Sequence, residues 1–308
     1  MGRKSYWIVF LCFMAISFAA SAAERRSSLP SEGLAQADGL GVSLSLVGRL
    51  VGGGNTLFTT AIDVTNSTTA PTQVDFYLDG MDLTLQNIVA VRGSIDASGA
   101  LVAQGAGAMR GRQSAHFDDF IDSLVQAHLL DASIEPGGFI GSALFVFNGF
   151  AKIGQGTATA RFANAFGGGT IGVSLKGHEL SASEPMSLVA AVRDSRGGTG
   201  PQLYPNMFIN NTGLTPAGTL GSAVTVQLTA YANSSGLAIG TPLTLQIGPG
   251  QTASVSGALQ ALGVPSGENT ILIYATVVSG TSAIEGLVSQ VDAVTKDGSA
   301  FEMSRADF

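Results

Sequence analysis

The feature that most constrains this chain is a period of two. Val224, Val226 and Leu228 alternate with Thr225, Gln227 and Thr229, and Val74, Phe76 and Leu78 alternate with Asp75, Tyr77 and Asp79. Successive side chains of an extended strand point to opposite faces, so such a run has one buried face and one wet face. Runs of strand character recur at 59–64, 73–78, 144–147, 157–162, 170–175, 187–192, 223–229, 243–247, 270–277 and 283–288. Turn residues separate them, among them Gly52-Gly53-Gly54, Gly167-Gly168-Gly169 and Gly197-Gly198. Glycine supplies 41 of 308 residues and reaches positive φ without a Cβ clash. Many short strands between turn signals predict a mainly β fold: an antiparallel sandwich with its core between two sheets.

One segment departs from this texture. Over 114–130, Phe117, Phe120, Ile121, Leu124, Val125 and Leu129 fall at helical spacing, with Asp118, Asp119, Asp122 and Gln126 on the other side. That pattern predicts an amphipathic helix with Ser114 as its cap and aspartates near its N-terminus. A shorter helix is expected near 255–262.

The same succession of features occurs twice. A glycine turn, a strand ending in Asn66, an alternating strand from Gln73, Leu83-Thr84-Leu85-Gln86, Gln113 with its helix, and an apolar strand from Ser142 are matched in order. The counterparts are Gly197-Gly198, Asn210, the strand from Ala223, Leu243-Thr244-Leu245-Gln246, Gln251 with Val255 onward, and the strand from Thr270. The reading is a duplication whose offsets drift through loop insertions, with a hinge at Ser181–Pro185.

This ordered set, and Gly248-Pro249-Gly250-Gln251-Thr252 most of all, resembles uncharacterised exported bacterial proteins with tandem immunoglobulin-like or fibronectin-like β-sandwich repeats, in outline over 42–305. The first half departs from it at Met109-Arg110-Gly111-Arg112-Gln113-Ser114. The resemblance implies two tandem antiparallel Ig-like β-sandwich domains, 42–180 and 186–305, each with one helical crossover. It implies no activity and no functional residue.

The N-terminal segment predicts export. Arg3 and Lys4 precede an apolar run from Tyr6 to Ala20, followed by Ala20-Ser21-Ala22-Ala23 and then charge at Glu24. This is the order of a secretory signal peptide over 1–23, with cleavage near Ala22 or Ala23. The run is short for a spanning helix, and no other segment is apolar and long enough, so the mature chain is expected to carry no transmembrane helix. A polar linker covers 24–41. The single Cys and the single Trp, Cys12 and Trp7, lie in the leader. The remainder therefore folds without disulfides in a secreted, periplasmic or cell-surface location. Loss of Arg3 and Lys4 takes the net charge from −7 to −9, which excludes a basic nucleic-acid footprint.

No reaction centre is legible. His178-Glu179 begins like H-E-x-x-H, but Ala182 stands where the second ligand is required, so no metal site is assigned. His116 and His128 are read as residues at the two ends of the predicted helix. No G-x-S-x-G elbow or phosphate loop occurs, and no cofactor and no catalytic residue are assigned. Asp79 and Asp82 are calcium candidates without EF-hand spacing. Tyr77, Tyr204 and Tyr231 are candidates for a sugar-stacking platform. The patterns at Asn66, Asn210 and Asn233 are read as turns. The expected role is a non-catalytic structural, adhesive or assembly module whose partner is a protein or polysaccharide of the cell envelope or extracellular matrix. The alternative is a glycan-binding protein; an outer-membrane barrel or a hydrolase with a dispersed site ranks lower.

Overall fold

The computed structural model describes residues 39–51, 57–85, 87–134, 138–149, 154–166, 169–179, 185–196, 203–216, 221–267, 270–292 and 298–306. The leader, linker residues 24–38, the glycines at 52–54, 167–168 and 197–198, and hinge residues 181–184 lie outside the described residues.

The fold is mainly β with antiparallel sheets. β1 (Gly39–Val51) takes in the last three residues expected for the linker, because Gly39, Leu40 and Gly41 already pair with β7 (Phe139–Asn148). The N-terminal part of β1 lies between β7 and β10 (His178–Glu179). After a bulge between Leu44 and Val47, its last residues, Leu50 and Val51, pair with β2 (Leu57–Asn66). A bulge bends a strand, and this one carries β1 from one layer into another. The first layer continues from β7 through β3 (Val74–Asp82) and β4 (Asn87–Ile95) to β5 (Leu101–Val102). The second is built on β2, which holds β6 (Gln113–Phe117) on one side and β8 (Gly156–Phe166), then β9 (Gly169–Lys176), on the other. Their facing sides share one core: Val42, Phe76, Phe145 and Phe147 with Ile62, Val64, Ala160 and Phe162.

Helix α1 (Phe120–Gln126) plugs the end of that core with Phe120, Ile121 and Leu124. The Phe120 ring stands edge-on to Phe76, Phe117 and Phe145, with centroids 5.6, 5.5 and 6.0 Å away, the geometry favoured by the ring quadrupole. The helix is shorter than the expected 114–130. Ser114 to Phe117 alternate exposed and buried and pair with β2, so they form a strand instead. The cap is Asp119, whose carboxylate accepts from the Asp122 amide and is ion-paired to Arg49.

Residues from 187 onward form a five-stranded and a four-stranded sheet. The first runs β14 (Ala238–Ile247), β13 (Val224–Ala232), β16 (Thr270–Ser279), β11 (Ser187–Arg193), β19 (Ser304–Arg305). The second runs β15 (Thr252–Val255), β12 (Leu203–Asn211), β17 (Ile284–Asp292), β18 (Gly298–Glu302). Leu188, Val192, Leu228 and Ile273 of one meet Met207, Ile209 and Val288 of the other in a second core. Helix α2 (Ala258–Ala261) lies between β15 and β16. It too is shorter than expected, since Val255 ends β15 and Gly257, at φ 56°, turns the chain before the helix starts. Apart from β5, the pairing order matches the first half: β14-β13-β16-β11-β19 follows β4-β3-β7-β1-β10, and β15-β12-β17-β18 follows β6-β2-β8-β9.

Three local devices occupy matched places. Asn66, at the end of β2, donates its side-chain amide to the Ala70 and Arg110 carbonyls and accepts from the Thr68 amide. Asn211, at the end of β12, donates to the Ser222 and Ile247 carbonyls and accepts from the Gly213 amide. Gln113 accepts from the Arg110 amide and Gln251 from the Gly248 amide, each three residues back. His128 (φ 58°) and Gly263 (φ 59°) follow the two helices in left-handed conformation. Beyond them Leu129 and Val264 donate back to Leu124 and Leu259, a Schellman-type ending. These matches correct the sequence reading at three points. Asn211 rather than Asn210 corresponds to Asn66. Leu83 lies in a turn whereas Leu243 lies inside β14. Asn66 and Asn210 are buried strand residues rather than turn residues; Asn233 does lie in a turn.

No helix among the described residues is long and apolar enough to cross a membrane.

Candidate functional site

The alternation that buries Phe76 and Leu78 points Asp75, Tyr77 and Asp79 of β3 to the opposite face. Their cross-strand partners on β7 are Val146, Leu144 and Ser142, and Ser43 of β1 is the partner of Leu144. Elements of the second half cover this face. Phe208 of β12 and Leu287 of β17 are register partners pointing away from their own core, and both join the first-half core.

A line of hydrogen bonds runs along this seam. The Ser43 hydroxyl donates to Glu285 Oε2 at 2.8 Å, and the Asn210 amide donates to the same oxygen at 3.3 Å. Ser142 Oγ donates to the Gly250 carbonyl at 2.9 Å and lies 3.2 Å from Asn210 Oδ1. Thr252 reaches the Ser45 carbonyl inside the β1 bulge. Ser43, Ser142, Asn210 and Glu285 are all buried. Buried polar groups left without partners would be costly, so a matched set fixes the register of the two halves.

Asp79 sits at the end of this line. Gly250, at φ 71°, passes so close that a Cβ there would lie 2.7 Å from Asp79 Oδ2. Burial pushes the Asp79 carboxyl up to about 6, against the pull of Arg92. Beside it, Tyr77 accepts from the Gln104 amide at 3.1 Å and has the Arg92 guanidinium 5.5 Å over its ring. Burial, with the Asp75 charge, raises its phenol too.

Along the other flank of the seam a cleft of about 260 Å³ is lined by Ser43, Lys176, His178, Glu285, Glu302 and Arg305 among others, over an apolar floor of Leu188, Ile284 and Met303. It brings a hydroxyl, an imidazole and a carboxylate to one surface, with cations from β9 and β19. The proton of Ser43 is directed to Glu285, and His178 is the cross-strand partner of Ser43.

The three tyrosines singled out by sequence lie in three different sheets. Tyr77 is in the seam, Tyr204 is half-buried in β12, and Tyr231 is on the outward face of β13. Tyr231 packs edge-on against Tyr274, with centroids 5.3 Å apart; Tyr274 was not singled out, though its alternation with Ile273 and Ala275 marks it as outward. Asp79 and Asp82 point to opposite faces of β3, and Asp82 caps the following turn by accepting from the Thr84 and Leu85 amides. No cluster of three or more metal-ligating acidic, His or Cys side chains occurs among the described residues. His116 lies on the exposed side of β6, within 2.7 Å of Asp63 and 3.0 Å of Asp118, and hydrogen bonds to these carboxylates raise its pKa. Sequence missed Ser43, Ser142, Asn210 and Glu285 as a group. Only tertiary packing joins positions 242 residues apart.

Comparison with known proteins gives no match: no family model, no curated protein and no solved structure matches the chain.

Proposed function

We propose that this chain is an exported, non-catalytic module of two copies of one immunoglobulin-like β-sandwich, fixed to each other by a polar seam and serving a structural, adhesive or assembly role at the cell envelope or outside the cell. The observation that carries this reading is the repeated pairing order of β1–β10 in β11–β19, with the Asn66/Asn211, Gln113/Gln251 and His128/Gly263 devices at matched places. A duplicated scaffold explains that coincidence, and the leader at 1–23 supplies the route out of the cytosol. The partner is a protein or polysaccharide of the envelope or matrix.

The test is expression of the full chain with its leader in a bacterium, followed by fractionation and N-terminal sequencing. The expected product lies outside the cytosol and begins at Ala23 or Glu24. Retention in the cytosol with Met1 intact refutes export. Turnover of an ester, glycoside or peptide that disappears in Ser43→Ala refutes the non-catalytic assignment. A second reading, neutral glycan binding, rests on the Tyr231–Tyr274 pair on an outward sheet face. Its test is retardation in gels cast with soluble polysaccharides and loss of that retardation in Tyr274→Ala.

A further inference from the structure

One end of the first half is gathered around a single glycine. β1 turns into β2 after the register pair Val51 and Leu57, and β3 turns into β4 after the pair Asp82 and Asn87. Gly138, just before β7, lies between these two turns. Its carbonyl accepts from the Leu83 amide at 2.9 Å. A Cβ on it would stand 2.9 Å from the Arg49 carbonyl, 3.5 Å from the Leu83 side chain and 3.6 Å from the Leu50 Cα. β8 ends beside them, since its Asn164 pairs with Phe58 at the start of β2.

This end is apolar on its outside. Six large apolar side chains are exposed among the described residues, and four of them are here: Val51 at 53%, Leu57 at 38%, Leu85 at 64% and Ile88 at 44%. Their neighbours Leu50, Phe58 and Val89 pack on the first core, and these four do not. No charged residue occurs over 50–62, 83–91 or 162–175, in a chain with 22 acidic and 15 basic side chains. The charges that do stand at this end are paired, buried or negative. Arg49 is ion-paired to Asp119. Asp82 is buried and caps the β3–β4 turn. Asp131 is exposed, in the connection that reaches the Gly138 amide through the Ile134 carbonyl. Hydrogen bonds from Ser133 hold its carboxyl below the usual carboxylate range.

Size and charge select what covers such an end. From β4 to β1 the first layer spans three strand spacings of about 4.8 Å, and a second layer lies about 10 Å away, so the turns occupy roughly 14 by 10 Å. Each partner in a stable protein complex gives up about 800 Å², which this end does not supply. A bilayer needs no matching surface, because each aliphatic side chain that leaves water for the acyl boundary contributes on its own. Asp131 and a net charge of −7 disfavour anionic headgroups. We propose that Val51, Leu57, Leu85 and Ile88 insert into the surface of a zwitterionic phospholipid bilayer, so that the first half meets a membrane end-on. Exposed apolar side chains gathered at one place mark such contacts. The proposal stands on the geometry of the turns and depends neither on export nor on duplication.

Tryptophan fluorescence of the full chain tests it. The single tryptophan is Trp7, so in a Trp7→Phe background Leu85→Trp reports on this end alone, whatever the leader binds. Leu85 is an exposed turn residue, and its replacement leaves the core untouched. With phosphatidylcholine vesicles brominated on their acyl chains, the expected result is blue-shifted emission and strong quenching for Leu85→Trp. Leu237→Trp, at an equally exposed leucine on the far side of β14 from the Gly250 turn that meets Asp79, shows neither. Adding Val51→Ser and Ile88→Ser to Leu85→Trp raises the lipid concentration for half-quenching at least about tenfold. Phosphatidylglycerol in the vesicles raises it or leaves it unchanged. Absence of quenching in Leu85→Trp overturns the proposal, as does equal quenching in Leu237→Trp. Half-quenching that ignores the two serines, or that only anionic vesicles support, overturns it as well. Emission that lipid leaves alone but that shifts with protein concentration overturns it in favour of contact between copies.

Discussion

Asp79 makes the seam between the halves sensitive to pH, and the size of the effect follows from its surroundings. The carboxyl has an ordinary value of 3.8 and is pushed up to about 6 by burial, with Arg92 pulling the other way. The folded state therefore holds this proton more tightly than the unfolded chain does. Below pH 3.8 the group is neutral in both states and carries no penalty. As pH rises from there through about 6, ionisation is favoured only in the unfolded chain and stability falls. At about 1.36 kcal/mol per pH unit, the rise from 3.8 to about 6 amounts to about 3 kcal/mol, complete by pH 7. Asp79→Asn removes the ionisation and keeps the shape. Relative to wild type it should gain up to about 3 kcal/mol at pH 7 over its value at pH 4, or roughly 5–10 °C in Tm for a chain of this size. Urea unfolding of both proteins at pH 4, 5, 6 and 7 measures it. The difference between them cancels every other carboxylate and any packing effect of the amide itself. A flat difference across that range refutes the reasoning. So does one that grows in the wild type's favour as pH rises, since it would mean that the ionised carboxylate holds the seam together.

Asn66→Ala and Asn211→Ala should each destabilise by about 2–4 kcal/mol in chemical denaturation, because each removes a buried side-chain amide that bonds two carbonyls and one backbone amide. Similar losses at the two sites are expected, and a large loss at only one would break the match between the halves. His128→Gly should stabilise by about 1 kcal/mol, since His128 holds the φ of 58° that Gly263 holds at 59° in the matched turn; a lower Tm would count against it. Phe120→Ala should cost about 3–5 kcal/mol through the cavity left among Phe76, Phe117 and Phe145, read as a lower urea midpoint.

The sequence made the strands legible where one face is buried and the other wet. Seven of the ten runs of strand character fall within strands, and the other three, at 73–78, 223–229 and 283–288, begin one residue before β3, β13 and β17. It failed where two periods compete. Phe117, Phe120, Ile121 and Leu124 satisfy a helix, yet Ser114, Ala115, His116 and Phe117 also satisfy a strand, and pairing with β2 decides for the strand up to Phe117. β4 was missed because one of its faces is largely exposed and its apolar residues do not alternate cleanly over Asn87–Ala90. The short β15 (Thr252–Val255) ends where the helix near 255–262 was expected to start, and four residues are too few to show an alternation. The seam was illegible for a different reason. Ser43, Ser142 and Asn210 are unremarkable polar residues on strands, and their burial depends on what covers them.

That dependence explains how the same pairing order can carry two different surfaces. Asn66 and Asn211 fix the frame: three residues before each lie Asp63 in β2 and Phe208 in β12, and across the next strand lie Thr159 and Leu287. The backbone pairing is the same, so local strand preference cannot account for the change from a carboxylate and a hydroxyl to two large apolar side chains. What differs is the layer above. Phe208 and Leu287 are covered by the first half and exposed by 2% or less, whereas His116, beside Asp63, is more than half exposed. Burying Asp63 as Phe208 is buried would desolvate a charge with no cation provided across the seam. The polar set at Asp63, Thr159 and His116 therefore keeps its water where Phe208 and Leu287 are covered.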